Sequence, residues 1–225
     1  MTALDGPRLE PRSGRARRLV VLIHGYGADG NDLIELGRAW APVLPDTAFV
    51  APHAPEPCAG APMGRQWFAL DLRDVNERWR GVSRAAPTLA AFLAEELRRR
   101  GLPGGSLALV GFSQGTMMAL HVGLRLAQAP AAIVGYSGLL AMPEPPDAIE
   151  RAAAEIRARP PVWLAHGARD DLIPAQALFV SANALAAAGV PVEWHLSPEI
   201  GHGIDPEGLR QGGEFLRRAF AFGAG

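Results

Sequence analysis

Ser113 lies in Gly111-Phe112-Ser113-Gln114-Gly115, directly after the apolar run Leu107-Ala108-Leu109-Val110 and before Thr116-Met117-Met118-Ala119-Leu120. A G-x-S-x-G pentapeptide between a strand-like and a helix-like stretch has the context of a nucleophile elbow, a tight turn that lifts a serine hydroxyl out of a sheet. Glycines at 111 and 115 remove Cβ atoms where strand and helix approach, and Ser113 is expected in a strained backbone conformation. The first amides of the helix then face a reacting carbonyl. Five-residue matches are common by chance and many Gly-Ser-Gly turns are only turns; the strand before and the helix after carry the nucleophile reading.

A serine hydroxyl needs a base to take its proton, and that base needs an acid to hold its tautomer. In sheets of this kind the chain order is serine, acid, histidine. Beyond the helix-like stretch Gln114–Gln128 that follows Ser113, three histidines remain: His166, His195 and His202. His166 precedes the acid candidates, at a strand end. His195 lies inside the strand-like Val192-Glu193-Trp194-His195-Leu196, where an ordinary hydrogen-bonded role fits. His202, in Gly201-His202-Gly203 before the last helix, is the candidate base, because glycine neighbours let its ring swing toward the serine. For the acid, Asp170 and Asp171 follow the strand ending at Ala165, in the kind of loop where ligand chemistry collects in open α/β sheets. One should face the histidine and the other cap a helix or be solvated; local chemistry does not separate them. An early glycine-rich loop, Leu22-Ile23-His24-Gly25-Tyr26-Gly27-Ala28-Asp29-Gly30, is positioned to supply a second oxyanion donor, so the amides of Tyr26 and Gln114 form the expected pair. His24 there reads as a residue that holds the loop by hydrogen bonds.

These groups require a sheet to position them. Strands are expected at Leu19–Ile23, Thr47–Ala51, Leu107–Gly111, Ile133–Tyr136, Val162–Ala165 and Val192–Leu196, mostly as continuous apolar runs, the mark of strands covered on both faces. Helices are expected at roughly Leu33–Ala41, Ser83–Arg100, Gln114–Gln128, Ala148–Arg159, Ala175–Ala188 and Pro206–Phe222. The alternation predicts an α/β fold with a mostly parallel central sheet and helices on both faces. Residues 1–18 read as an N-terminal extension or first-strand region, and 19–225 as one domain. The Pro/Gly-rich segments 52–64 and 143–146 read as surface loops, and the charged run Asp71–Gly81 as an excursion above the sheet. Arg98, Arg99 and Arg100 sit where a helix C-terminus favours cations. No internal repeat is present.

The 225 residues carry a net charge of −1, which gives no electrostatic case for nucleic acid or an anionic membrane. All 22 basic residues are arginine, so a Walker-type lysine, a pyridoxal Schiff base and a Ser–Lys pair are excluded. Cys58 is the single cysteine and cannot form an intrachain disulfide. The apolar run Leu19–Ile23 is too short for a signal-peptide core or a membrane span, which makes a cytoplasmic location the expectation.

His24-Gly25-Tyr26-Gly27, Gln66-Trp67-Phe68, the Ser113 pentapeptide, His166-Gly167-x-x-Asp170 and Gly201-His202 occur together and in order. As a set they resemble the phospholipase/carboxylesterase family of α/β-hydrolases, which includes bacterial carboxylesterases and acyl-protein thioesterases, from about Leu19 to Phe222. The resemblance implies an α/β-hydrolase fold with no large lid, Ser113 as nucleophile, Asp170 as acid and His202 as base. It also implies Tyr26 and Gln114 at the oxyanion hole and Trp67 near an acyl groove, with a core aromatic as the alternative reading of Trp67. A shallow groove walled by Trp67, Phe68 and Leu70 predicts a small-molecule ester of short to medium acyl chain as substrate. The sequence departs from the family at Asp171, where proline is usual. The expected activity is a serine carboxylesterase that works through an acyl-enzyme, needing no metal or cofactor and no stable membrane association. An acyl-protein thioesterase or lysophospholipase would use the same triad. Dienelactone-hydrolase-like chemistry is disfavoured because that group carries cysteine at the position of Ser113. A non-catalytic hydrolase-fold binding protein is disfavoured because no triad member is missing. Family members often form dimers, so a homodimer stays open.

Overall fold

The computed structural model of the chain describes residues 4–70, 75–143 and 147–222. A seven-stranded sheet carries it, with strands β1 (Arg8–Leu9), β2 (Arg18–Ile23), β3 (Thr47–Val50), β6 (Leu107–Phe112), β7 (Ala132–Tyr136), β8 (Val162–Gly167) and β9 (Val192–Ser197) in the order β1-β3-β2-β6-β7-β8-β9. All neighbours pair in parallel except β1, which runs antiparallel to β3. Among the described residues six α-helices flank it: α1 (Gly30–Trp40), α2 (Val75–Arg100), α3 (Gln114–Gly123), α4 (Ala148–Ala154), α5 (Gln176–Ala187) and α6 (Pro206–Phe222). Successive side chains of a strand point to opposite faces, and the core divides accordingly. Leu19, Val21, Ile23, Leu107 and Leu109 join residues of α2, α3 and α5 on one face. Val20, Leu22, Ala108 and Val110 join residues of α1 and α6 on the other. Both faces are covered, which is why these strands read as unbroken apolar runs.

Helix α1 starts on a capping box: Asp29 accepts from the Asn31 amide at 2.7 Å, and Asp32 accepts from the Asp29 amide at 3.0 Å. Helix α2 begins at Val75, so the expected excursion is helical from there on; its first four residues, 71–74, lie outside the described residues, as do 144–146 of the expected loop at 143–146. Helices α3 and α4 end earlier than their apolar patterns suggest, at Gly123 and Ala154.

Segment 52–64 is the clearest departure from expectation. Instead of loop alone, it enters a hairpin of β4 (Glu56–Cys58) and β5 (Ala61–Gln66). Pro55, Pro57, Gly60, Pro62 and Gly64 hide it, because proline and glycine are depleted in strands. The hairpin is held from outside: Gly27 donates to Arg65 O at 3.0 Å and the Arg65 amide to Ala28 O at 2.9 Å, so β5 clamps the glycine-rich loop after β2. Among the described residues no helix is long and apolar enough to cross a membrane.

Candidate active site

The C-terminal ends of β2, β6, β7 and β8 converge where the candidate residues sit. At the end of β6 the chain reverses through Ser113, whose φ of 53° and ψ of −116° fall outside the regions a side chain normally allows. Tertiary bonds hold this strained turn. The Ser113 amide donates to Tyr136 O at 2.8 Å, and Thr116 Oγ1 lies 2.9 Å from both Gly111 O and Tyr136 O. Gly115 is needed because a Cβ there would run into Ile23 O and His24 O. The start of α3 is thereby pressed against the loop after β2. A Cβ built on Gly25 would lie 3.2 Å from Ser113 Cβ, so that loop flanks the serine directly.

Two backbone amides are available beside the serine. Among the described residues neither the Tyr26 nor the Gln114 N–H has a hydrogen-bond acceptor. His24 holds this loop. Its Nδ1 lies 2.7 Å from Gly25 O, so it carries the proton, and Nε2 accepts from the Ala54 amide at 2.9 Å. Burial drives the His24 pKa below its ordinary value, which keeps the ring neutral in that bridge. The Tyr26 side chain is part-exposed over the hairpin, and its hydroxyl is pushed up by its hydrogen bond to Cys58 and by burial.

Asp170 and Asp171 separate sharply. The Asp170 side chain is buried; its Oδ1 accepts from the amides of Leu172 at 3.0 Å and Ile173 at 2.9 Å, and its Oδ2 lies 2.8 Å from His202 Nδ1. Asp171 is exposed. The His202 ring packs on Phe112, with centroids 5.1 Å apart, next to Ser113. The loop bearing it is pinned at three points. Ser137 Oγ donates to Gly203 O at 2.9 Å, the Arg169 amide to Ile200 O at 3.0 Å, and Ser197 Oγ to Asp205 Oδ1 at 2.9 Å. Ser137 keeps its bond from a second positive-φ conformation, φ 45°. Ser113 Oγ makes no hydrogen bond among the described residues; such bonds commonly tighten only when substrate is present. His195 is elsewhere, stacked on Trp163 with Nδ1 3.5 Å from Gln211.

The aromatic segment lies beneath the site rather than along it. Trp67 is 1% exposed and Phe68 2%. Trp67 Nε1 donates to His24 O at 2.9 Å, and the Gln114 side chain bridges both residues: Oε1 accepts from the Trp67 amide at 2.9 Å and Nε2 donates to Phe68 O at 2.8 Å. Of the three residues expected to wall a groove, only Leu70 is half-exposed. The bridging role of the Gln114 side chain, missed in the sequence, has no local signal, since its partners are nearly fifty residues away. Apolar surface near the site comes instead from Leu172, 63% exposed beside Asp170. A cavity of about 400 Å³ is lined by Leu139, Met142, Ala177 and Val180 together with the polar Asn76 and Arg78. A larger groove of about 680 Å³, lined by Arg15, Arg17, Arg99 and Arg100, includes none of these groups and lies at the strands' opposite ends.

A family model described as Phospholipase/Carboxylesterase matches residues 4–220. Esterase YpfH of Escherichia coli (strain K12) is 28% identical over 202 residues, covering 90% of this chain and 83% of that protein. Acyl-protein thioesterase 1 of Gibberella zeae is 26% identical over 225 residues, covering 94% of each. Among solved structures, esterase PE8 superposes with a TM-score of 0.91 at 44% identity, covering 97% of this chain and all of that one.

Proposed function

The chain belongs to the phospholipase/carboxylesterase family of hydrolases, and from that premise we propose that it is a serine carboxylesterase acting on short- to medium-chain esters. Ser113 attacks the ester carbonyl while His202 takes its proton. The Tyr26 and Gln114 amides stabilise the oxyanion, and Asp170 holds His202 with its proton on Nδ1 and stabilises the imidazolium that forms. The intermediate collapses as His202 protonates the leaving alcohol, leaving Ser113 acylated. Water then attacks the acyl-enzyme with His202 again as base, and the acid is released. Side chains, two amides and water carry every step.

The observation that carries this reading is the buried Asp170 carboxylate, fixed by two amides at one oxygen and by His202 Nδ1 at the other, with that ring packed beside a strained serine. Two free amides flanking the same serine support the oxyanion assignment. The acyl chain is proposed to run from Ser113 past Gly138 along Leu139 and Met142, because Trp67 and Phe68 are buried and offer no wall. Each buried methylene contributes about 0.8 kcal/mol until the chain outgrows this space. Rates on p-nitrophenyl esters should therefore rise through short chains, peak at medium length and fall by palmitate. Matched thioesters run beside them decide the leaving-group preference. Rates that climb steadily to palmitate, or thioesters turned over far faster than every ester, would overturn the proposal.

A further inference from the structure

A second imidazole meets the carboxylate that serves His202. His166 ends β8, is 2% exposed, and takes part in no step above. Its Nε2 lies 2.8 Å from Ile173 O and 3.2 Å from Asp170 Oδ2. A backbone carbonyl can only accept, so Nε2 carries the proton. Nδ1 is buried and has no partner among the described residues. An unpaired buried acceptor is destabilising, and an apolar side chain at this core position would avoid it.

We propose that His166 is a positioning residue for Asp170, a role that rests on the triad reading above. The bonds form a closed circuit. His166 Nε2–H holds Ile173 O; the Ile173 and Leu172 amides hold Asp170 Oδ1; Oδ2 is left aimed at His202 Nδ1. Fixing Oδ1 sets the plane of the carboxylate, and that plane sets the direction of Oδ2. Within this circuit His166 is the side-chain link that ties the turn 170–173 back to the sheet. Its N–H also faces Oδ2, at 3.2 Å. His166 touches no reacting atom, so its removal should loosen the acid without changing substrate binding.

The test is nuclear magnetic resonance of the ¹⁵N-histidine-labelled protein together with kinetics on an activated ester. The wild-type spectrum should show His166 with a proton on Nε2, and a downfield Nδ1–H signal from His202. His166→Leu should lower kcat about 10- to 100-fold, the range expected for losing one hydrogen bond in a charged network. KM should stay within about twofold, and the His202 signal should be lost to exchange. His166→Gln, whose amide nitrogen reaches the Nε2 position, should restore the signal and most of kcat. Wild-type kcat with an intact His202 signal in His166→Leu overturns the inference, as does a His166 proton on Nδ1 or a Gln variant as impaired as the Leu variant. Should His166→Leu not fold, the wild-type tautomer and the Gln variant decide. A Ser113→Ala control that keeps full activity would instead sink the triad reading, whatever the His166 variants do.

Discussion

Replacing Gln114 by alanine separates its backbone from its side chain. The backbone amide, an oxyanion donor in the proposed mechanism, survives the change, while the side chain that bridges Trp67 N–H and Phe68 O is lost. Both of those groups belong to buried residues and lose the side-chain partner they have in the structure. Leaving a buried polar group unsatisfied costs about 1–3 kcal/mol, so two such groups sum to about 4 kcal/mol. A chain of this size shifts its melting point by roughly 2–4 °C per kcal/mol, which gives a drop of about 8–16 °C. Trp67 in turn holds His24 O through its indole, so the loop bearing the Tyr26 amide should loosen and kcat fall with it. The assay is a thermal melt of wild type and Gln114→Ala by circular dichroism, with kcat on an activated ester measured well below both transitions. A melting point within about 3 °C of wild type would refute the reasoning, because the bridge would then not be holding the segment.

Asp170→Asn should lose roughly 10⁴-fold in kcat, the scale seen when a serine-protease triad aspartate becomes asparagine. Exposed Asp171→Asn should cost less than about tenfold in the same assay; the reverse ranking would move the acid to Asp171. His121, buried beneath Trp79 and beside Arg125, has its pKa driven down to about 3 by burial and by that arginine. The unfolded chain therefore binds a proton there that the folded chain refuses, and stability present above the ordinary histidine value of about 6.5 is lost as pH falls toward 3. His24 adds to the same trend. His121→Leu should flatten the acid limb of melting point against pH, by about 1.4 kcal/mol per pH unit of slope; an unchanged limb would remove His121 as its cause.

The parts of the site visible in the sequence are those whose chemistry and neighbours are local. The Ser113 pentapeptide sits between a buried strand and a helix, and Gly111 is required by the nearby backbone of Gly115 and Thr116, whereas the need for glycine at 115 comes from the distant Ile23 and His24 carbonyls. His202 stands between glycines in a loop. The aspartate pair could not be resolved by residue type, because both positions satisfy the same rule; the turn decides it, since only Asp170 meets the Leu172 and Ile173 amides and His202 Nδ1. Tryptophan beside glutamine reads equally as groove or core, and the deciding partner of Trp67 is Gln114, far along the chain. The hairpin Glu56–Gln66 carries no strand signal in its residue types, because it is held by pairing with the loop at Gly27 and Ala28 and not by strand propensity. The short strand Arg8–Leu9 gives no periodic signal in two residues and exists only through pairing with Phe49 and Val50.

The central claim is that Ser113 is the nucleophile, and covalent labelling tests it most directly. The protein is treated with a fluorophosphonate, digested, and the modified residue located by mass spectrometry, with Ser113→Ala alongside. One adduct per chain, at Ser113, and a kcat lowered roughly 10⁴-fold or more in the variant are the predicted results. An adduct at Ser137 in place of Ser113, or an alanine variant as active as wild type, would contradict the account.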